Sequence, residues 1–327
     1  MTEQLITEIQ RKMLPYLNNE QLMHLRDAMA ETLEGATITY DSGSIPAEET
    51  DAVEAFITAK RIEGCSEKTL SYYRKTIEAL ISRVGKAVQQ ITTDDLRRYL
   101  TNYQVQRRSS KVTIDNIRRI LSSFFSWLED EDFIVKSPVR RIHKVKTAKV
   151  VKDTLTDENI EVLRDTCSNL RDLAIIEMLT STGVRIGELV KLDKADVDFA
   201  ERSCIVLGKG NKEREVYFDA RTKLHLQEYL EQRTDNDPAL FVSKNAPHTR
   251  LTIGAIQRIV RTLGKQAEIV KVHPHKFRRT LATRAIDKGM PIEQVQRLLG
   301  HQKIETTMHY AMVNQSNVKI AHRKYIG

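Results

Sequence analysis

Apolar residues recur at three- and four-residue intervals along nearly the whole chain, and one short region breaks that rhythm. Leu70, Tyr73, Ile77, Leu80 and Ile81 follow Ser66, a residue suited to cap a helix. Ile114, Ile117, Leu121, Phe124, Phe125 and Leu128 form a second stripe of this kind. Such spacing puts the apolar side chains on one face of a helix. The exception is Cys204–Leu207 and Glu215–Phe218, two short β-type runs. Between them stands the turn-rich loop Gly208-Lys209-Gly210-Asn211-Lys212-Glu213-Arg214, which predicts a hairpin. The expected fold class is mainly α with a small antiparallel β patch.

At 327 residues the chain is longer than the roughly 250–300 residues that one core usually serves, so two domains are expected. Residues 1–45 read as a helical hairpin, turned at Asn18-Asn19-Glu20, followed by a linker rich in Gly, Ser, Thr and Pro. About 30 residues of hairpin are too few to fold alone, so this segment is an appendage: an oligomerisation element, an arm on a partner, or a stabilising cover. Residues 46–139 read as an all-helical domain, with helix caps at Ser66 and at Thr92 or Thr93. Residues 140–153 form a basic linker containing Arg140, Arg141, Lys144 and Lys146. Residues 154–327 read as a second domain, mostly helical, that holds the hairpin.

Lys and Arg number 52 against 44 Asp and Glu, a formal charge of +8. Residues 48–150 hold 20 of the basic and 14 of the acidic residues, so most of the excess lies in the helical domain and linker. A polyanionic partner fits this balance. The linker reads equally well as a solvated connector or as a strap along phosphates. With 40% hydrophobic residues the chain is not disordered. It has no apolar run of about 18 residues and no signal-peptide pattern at its start, so a soluble, cytoplasmic protein with no membrane partner is expected. Cys65, Cys167 and Cys204 are far apart and form no zinc pattern, which reads as thiols buried in a reducing compartment.

The second domain carries an ordered series of polar residues. Arg185 and Glu188 lie three apart, on one helical face. Lys209 sits between glycines in the hairpin loop. His275 and Arg278 are one helical turn apart after Pro274. His301 follows Leu298-Leu299-Gly300 and stands nine residues before Tyr310. Singly, each has a bland explanation: a surface ion pair, a solvated lysine, a packed tyrosine. Together they supply what phosphoryl transfer needs. Two arginines can grip one phosphate, histidines can donate to it or move protons, a lysine can protonate a leaving alkoxide, and a tyrosine can attack phosphorus.

This ordered set resembles the tyrosine site-specific recombinases, which include the phage and transposon integrases and the Xer proteins. The matching strings are Thr182-Gly183-Val184-Arg185 with Glu188-Leu189, Gly208 to Arg214, Pro274-His275 to Arg278, and Leu299-Gly300-His301 with Thr306-Thr307 and Tyr310. Upstream, Ser66 to Leu70 and Tyr73 resemble the opening of the family's core-binding domain. Arg279 stands where many members have a second histidine. The resemblance implies a helical, SAM-like core-binding domain joined to a catalytic domain of the DNA breaking–rejoining fold. It implies Tyr310 as nucleophile, Arg185 and Arg278 on the phosphate, Lys209 as general acid, His275 as base or donor, His301 as second donor and Glu188 as a support. Tyr325, His273 and Lys212 are weaker rivals for the roles of Tyr310, His275 and Lys209.

The implied activity is metal- and ATP-independent strand transfer with no cofactor, through a 3′-phosphotyrosyl link, in integration, excision, inversion or resolution. The implied partners are double-stranded DNA and further copies of the chain. These would form a tetramer on two DNA sites, exchange the tail 314–327 through Val318, Ile320, Ala321 and Tyr325, and recruit accessory DNA-bending proteins in some systems. Candidate DNA contacts are Arg107, Arg108, Lys111, Arg118, Arg140, Arg141, Lys144 and Lys146. A type IB topoisomerase and a non-catalytic DNA-binding protein are the alternatives. The core-binding domain and the Gly-Lys-Gly-Asn loop favour the recombinase.

Overall fold

The structure, a computed structural model, describes residues 2–35, 51–146, 153–208 and 213–310, and the single positions 322 and 326. The chain divides into two compact units, Met1–Ala148 and Lys149–Gly327. The expected linker at 36–47, the loop residues Lys209 and Lys212, and nearly all of the tail lie outside the described residues. Among the described residues no helix is long and apolar enough to cross a membrane.

The first unit is helical throughout its described residues: α1 (Thr2–Met13), α2 (Asn19–Thr32), α3 (Ala52–Ile62), α4 (Glu67–Val84), α5 (Thr93–Arg107) and α6 (Lys111–Asp130). Local sequence sets the helix starts. The side chains of Asn18, Ser66, Thr92 and Ser110 each accept a hydrogen bond from the backbone N–H three residues on. Each such cap satisfies a donor that the helix geometry leaves open. Gly85 closes α4 at φ +67°, in the left-handed region that glycine reaches without strain. The core is aromatic: Phe56 meets Phe124 edge-on at 5.2 Å between ring centroids and Trp127 at 5.6 Å. By contrast, among the described side chains α1 and α2 bury only Ile6 and Leu22; Asn18 caps α2 as expected, but the turn itself falls at residues 14–16, and Asn19 and Glu20 already belong to α2.

Residues 140–146, expected as linker, continue the packing of this unit. A short 3-10 turn spans Pro138–Arg141, and Val139 is buried in the helical core. Ile142 and Val145 pack against that core, and the Val145 N–H donates to Asp115 at 3.0 Å. The basic side chains of Arg140, Arg141, Lys144 and Lys146 stay exposed.

The second unit contains α7 (Asp157–Asp165), α8 (Leu170–Thr182), α9 (Ile186–Leu189), β1 (Val197–Asp198), β2 (Ser203–Leu207), β3 (Glu213–Tyr217), α10 (Ala220–Glu231), α11 (Ile253–Gln266), α12 (Pro274–Asp287), α13 (Ile292–Leu299) and α14 (Ile304–Met308). The strands form one antiparallel sheet in the order β1-β2-β3, with Cys204 opposite Val216 and Val206 opposite Arg214. Cys204, Val206 and Val216 face the core, while Ile205, Leu207 and Tyr217 face outward. Helix α8 runs through the middle: Ala174, Ile175, Ile176, Met178 and Leu179 are wholly buried. Its Glu177, also wholly buried, is held by Arg164 of α7 through two bonds of 2.9 and 2.8 Å and by His225 of α10 at 3.0 Å. Burial pushes the thiols of Cys167 and Cys204 up to about 12.

Trp127 is the chain's single tryptophan, and it sits in the aromatic core of the first unit. Phe124→Ala is expected to cost that unit about 3–5 kcal/mol. Urea titration followed by Trp127 fluorescence would read this as a lowered midpoint. An unchanged midpoint would contradict the packing described.

Candidate active site

The end of α13 is where the second unit gathers its arginines. An α-helix leaves its last carbonyls without intrahelical donors. Here three consecutive ones are taken by guanidinium groups from three different elements. Arg214 of β3 donates from Nε to the Leu298 carbonyl at 3.1 Å. Arg278 of α12 donates from Nη2 to the Leu299 carbonyl. Arg185, the N-cap residue of α9, donates from Nη2 to the Gly300 carbonyl at 3.0 Å. Cations also suit the negative end of a helix dipole.

Glu188 ties the group together. Its carboxylate is 4% exposed and accepts four N–H bonds. Two come from Arg185, through its backbone N at 2.7 Å and Nη1 at 2.8 Å. Two come from Arg214, through Nη1 at 2.7 Å and Nη2 at 2.6 Å. Burial alone would raise the pKa of this carboxyl, but the bonds from Arg214 and Arg185 outweigh it and hold the group below its ordinary range.

Arg278 is 3% exposed, and its Nη1 donates to the Gly183 carbonyl at 2.8 Å. Burial, then the nearby charges of Arg185 and Arg214, push its pKa down to about 10. Two glycines make this approach feasible. Gly183 ends α8 at φ +59°, and a Cβ there would fall 2.6 Å from Cδ2 of Leu281. Gly300 ends α13 at φ +63°, and a Cβ there would fall 2.9 Å from Cδ of Arg214. Both positions lie in the left-handed region that side chains rarely adopt.

His301 and Tyr310 complete the cluster. The His301 Nδ1 shares a 2.8 Å hydrogen bond with the Thr307 hydroxyl, which α14 buries completely. The rings of His301 and Tyr310 stack with centroids 5.9 Å apart and 27° between planes. Burial, then the charges of Arg278, Arg185 and Arg214, push the imidazole down to about 4. His301 is therefore neutral at neutral pH, with one nitrogen committed to Thr307. Burial lowers the pKa of Arg279 as it does that of Arg278, and nearby Tyr310 offsets a part of the lowering in both. Its ring packs against Ala282, Val295 and Leu299. Arg279 donates to the Asp153 carbonyl. His275 stands exposed at the start of α12, one turn before Arg278.

Of the expected catalytic residues, Arg185, Arg278, His301 and Tyr310 thus come together with Glu188, and Lys209 lies outside the described residues. Arg214 enters the cluster although the sequence marked it only as the last residue of the hairpin loop string. Among the expected DNA contacts, Arg107, Arg108 and Lys111 are exposed around the turn from α5 to α6. Arg118 is bound to Asp115 at 2.9 Å and keeps 14% of its side chain exposed.

Residues 153–317 match the Phage integrase family, and residues 53–134 match its N-terminal SAM-like domain. The chain belongs to this family, the tyrosine site-specific recombinases. Among curated relatives, tyrosine recombinase XerC of Oceanobacillus iheyensis is 32% identical over 292 residues, covering 83% of this chain and 94% of that protein. XerC of Staphylococcus aureus is 30% identical over 282 residues, covering 81% and 93%. Among solved structures, a lambda integrase dimer bound to a COC′ core site superposes with a TM-score of 0.67 at 20% identity, covering 88% of this chain and 85% of that one. That likeness is one of fold: a SAM-like helical domain and an integrase catalytic domain. This tyrosine recombinase is accordingly an enzyme of site-specific DNA cleavage and rejoining. Neither the topoisomerase nor the non-catalytic alternative is favoured.

The electrostatics generate a pH prediction. The unfolded chain takes up a proton on His301 near pH 6.5, and the folded chain only near pH 4. This group's contribution to stability is full above pH 6.5 and is lost as pH falls from there towards 4. An NMR titration of the His301 ring should give a midpoint well below 6, and an ordinary midpoint would refute the buried, cation-flanked geometry. Glu188→Ala should destabilise the second unit by about 3–5 kcal/mol, because it strands two partly buried guanidinium groups. Thermal unfolding followed by circular dichroism would measure it.

Proposed function

We propose that this recombinase works through a 3′-phosphotyrosyl intermediate on Tyr310, within a tetramer assembled on two duplex DNA sites. The observation that carries this reading is the stacking of Tyr310 on a neutral His301 beside Arg278 and Arg185. The Tyr310 oxygen attacks the scissile phosphorus, its proton passing to His275 or to water. The bond from phosphorus to the 5′-oxygen breaks, and Lys209 protonates that oxygen as it leaves. Arg185 and Arg278 neutralise the non-bridging oxygens as charge builds on them; both guanidinium groups are already oriented, and that of Arg278 is already desolvated. Neutral His301 donates a further hydrogen bond from its second nitrogen. Glu188 orients Arg185. Attack by a 5′-hydroxyl of the partner duplex on the phosphotyrosyl bond restores a phosphodiester and releases Tyr310. The bond energy is conserved across the two steps, so no nucleotide is consumed.

Self-association draws support from a lambda integrase tetramer bound to a Holliday junction, a structure with a TM-score of 0.66 to this chain at 19% identity. The exposed cations Arg107, Arg108, Lys111, Arg140, Arg141, Lys144 and Lys146 serve as phosphate contacts of the first unit, with Arg118 the least available of the set. Exchange of the tail between subunits would use residues outside those described.

Covalent trapping tests the chemistry. Wild-type protein mixed with nicked duplexes carrying candidate sites should give a protein–DNA adduct on denaturing gels. Tyr310→Phe should abolish it, and Tyr325→Phe should leave it. Loss with Tyr325→Phe alone would move the nucleophile. Replacing Arg140, Arg141, Lys144 and Lys146 together by Ala should reduce the slope of log affinity against log salt by about 3–4. An unchanged slope would remove those residues from the phosphate contacts.

A further inference from the structure

Arg214 differs from Arg185, its neighbour at the end of α13. Both its terminal nitrogens are bound to the Glu188 carboxylate, and its Nε is bound to the Leu298 carbonyl. Its side chain is 12% exposed, against 32% for Arg185. Arg185 is therefore the more open of the two, while Arg214 is committed to protein partners. Those partners belong to two elements that carry reacting groups. Glu188 stands three residues after Arg185 on α9, and Leu298 stands three residues before His301. The planar fork of a guanidinium can bridge a carboxylate and a carbonyl at fixed angles, which a single ammonium cannot.

The fit is close on the far side as well. A Cβ on Gly300 would meet Arg214 at Cδ, Nε and Nη1, at 2.9, 3.1 and 3.2 Å. The Arg214 side chain thus occupies the space that the glycine leaves open. Gly300 is also the residue whose carbonyl holds Arg185 at 3.0 Å. Arg214, Glu188, Arg185 and the 298–300 turn close a ring of hydrogen bonds in which Arg214 supplies three of the donors.

We propose that Arg214 is a positioning residue of the recombination site: from β3 it fixes Glu188, and with it Arg185, in register with the end of α13 that carries His301. This rests on the reading of Arg185 and His301 as phosphate-contacting groups. Arg214 touches no reacting atom, so its removal should slow cleavage without weakening the hold on DNA. A displacement of about 1 Å in a catalytic group can cost about 100-fold in rate.

The test compares full-length wild type with Arg214→Ala, Arg214→Lys and Gly300→Ala. Two versions of a nicked duplex carrying a cleavable site would be used. One is ordinary DNA, and the other has sulfur in place of the 5′-bridging oxygen, a leaving group that needs no proton donor. Duplex affinity should match wild type in all variants. Single-turnover cleavage should fall about 100-fold in Arg214→Ala on both duplexes. Arg214→Lys and Gly300→Ala should each fall at least about tenfold, since one loses the fork and the other displaces it. Wild-type cleavage rates in Arg214→Ala, or in Arg214→Lys where the alanine variant does not fold, would overturn the proposal. Recovery of wild-type rate on the sulfur duplex would also overturn it, because Arg214 would then act on protonation of the leaving group alone. Tyr310→Phe is run alongside: an adduct in that variant would mean that the nucleophile assignment has failed, independently of Arg214.

Discussion

A buried carboxylate with four N–H donors is what holds the second unit's arginine cluster together. Glu188 lies among three guanidinium groups that would otherwise repel one another across a partly desolvated space. One negative charge cannot neutralise three positive ones, and the remainder is what a phosphate would find. The cost of holding like charges together is met by the fold, through the glycine-shaped contacts at 183 and 300 and the carbonyls they present. A site of this kind is assembled before its substrate arrives, which is the condition for fixed dipoles and charges to stabilise a transition state without reorganising.

The scaffold behind it follows from simpler rules. Helix α8 is apolar on nearly all sides and therefore central, and α7, α10, α11, α12 and β3 pack against it. Its last residue, Thr182, is fully buried, and the left-handed Gly183 turns the chain straight into the start of α9. Arg185 thus stands three residues past the end of the unit's most deeply buried helix. Arg278 is placed by α12, whose start is set by Pro274 and which packs on α8. Arg214 and Arg278 sit on a strand and a helix, and Arg185 caps the start of α9.

Much of this was legible in the residues. Helix starts at Ser66, Thr92 and Thr156 follow from side chains that can accept a backbone N–H, a local property that needs no knowledge of the rest of the fold. The order Arg185, His275, Arg278, His301, Tyr310 was legible because each type is chemically unusual in its setting. Arg214 was not, since its partners Glu188 and Leu298 lie 26 and 84 residues away, and an ion pair of that span has no sequence period. Strand β1, two residues long, exists only because β2 offers it an edge, so no alternation could announce it. The packing of 140–146 was also hidden. Ile142 and Val145 are sparse among cations, and it is Asp115, 30 residues earlier, that fastens the segment.

The anchoring of Tyr310 differs in kind from that of the arginines. Its ring is held by a stack on His301, worth about 1 kcal/mol, and by partial burial against Ala282, Val295 and Leu299. Helix α14, which leads to it, buries Thr307 alone. Among the described residues, the hydrogen bonds that a local opening here would break include the one between Thr307 and His301 and the one from the Tyr310 N–H to the Thr307 carbonyl at 2.9 Å. Displacing Arg278 or Glu188 strands several buried polar groups at once and belongs with global unfolding. In the language of fluctuations, Tyr310 and the buried charges occupy different rungs of the molecule's stability ladder. The tyrosine can leave and return while the cationic cradle keeps its shape.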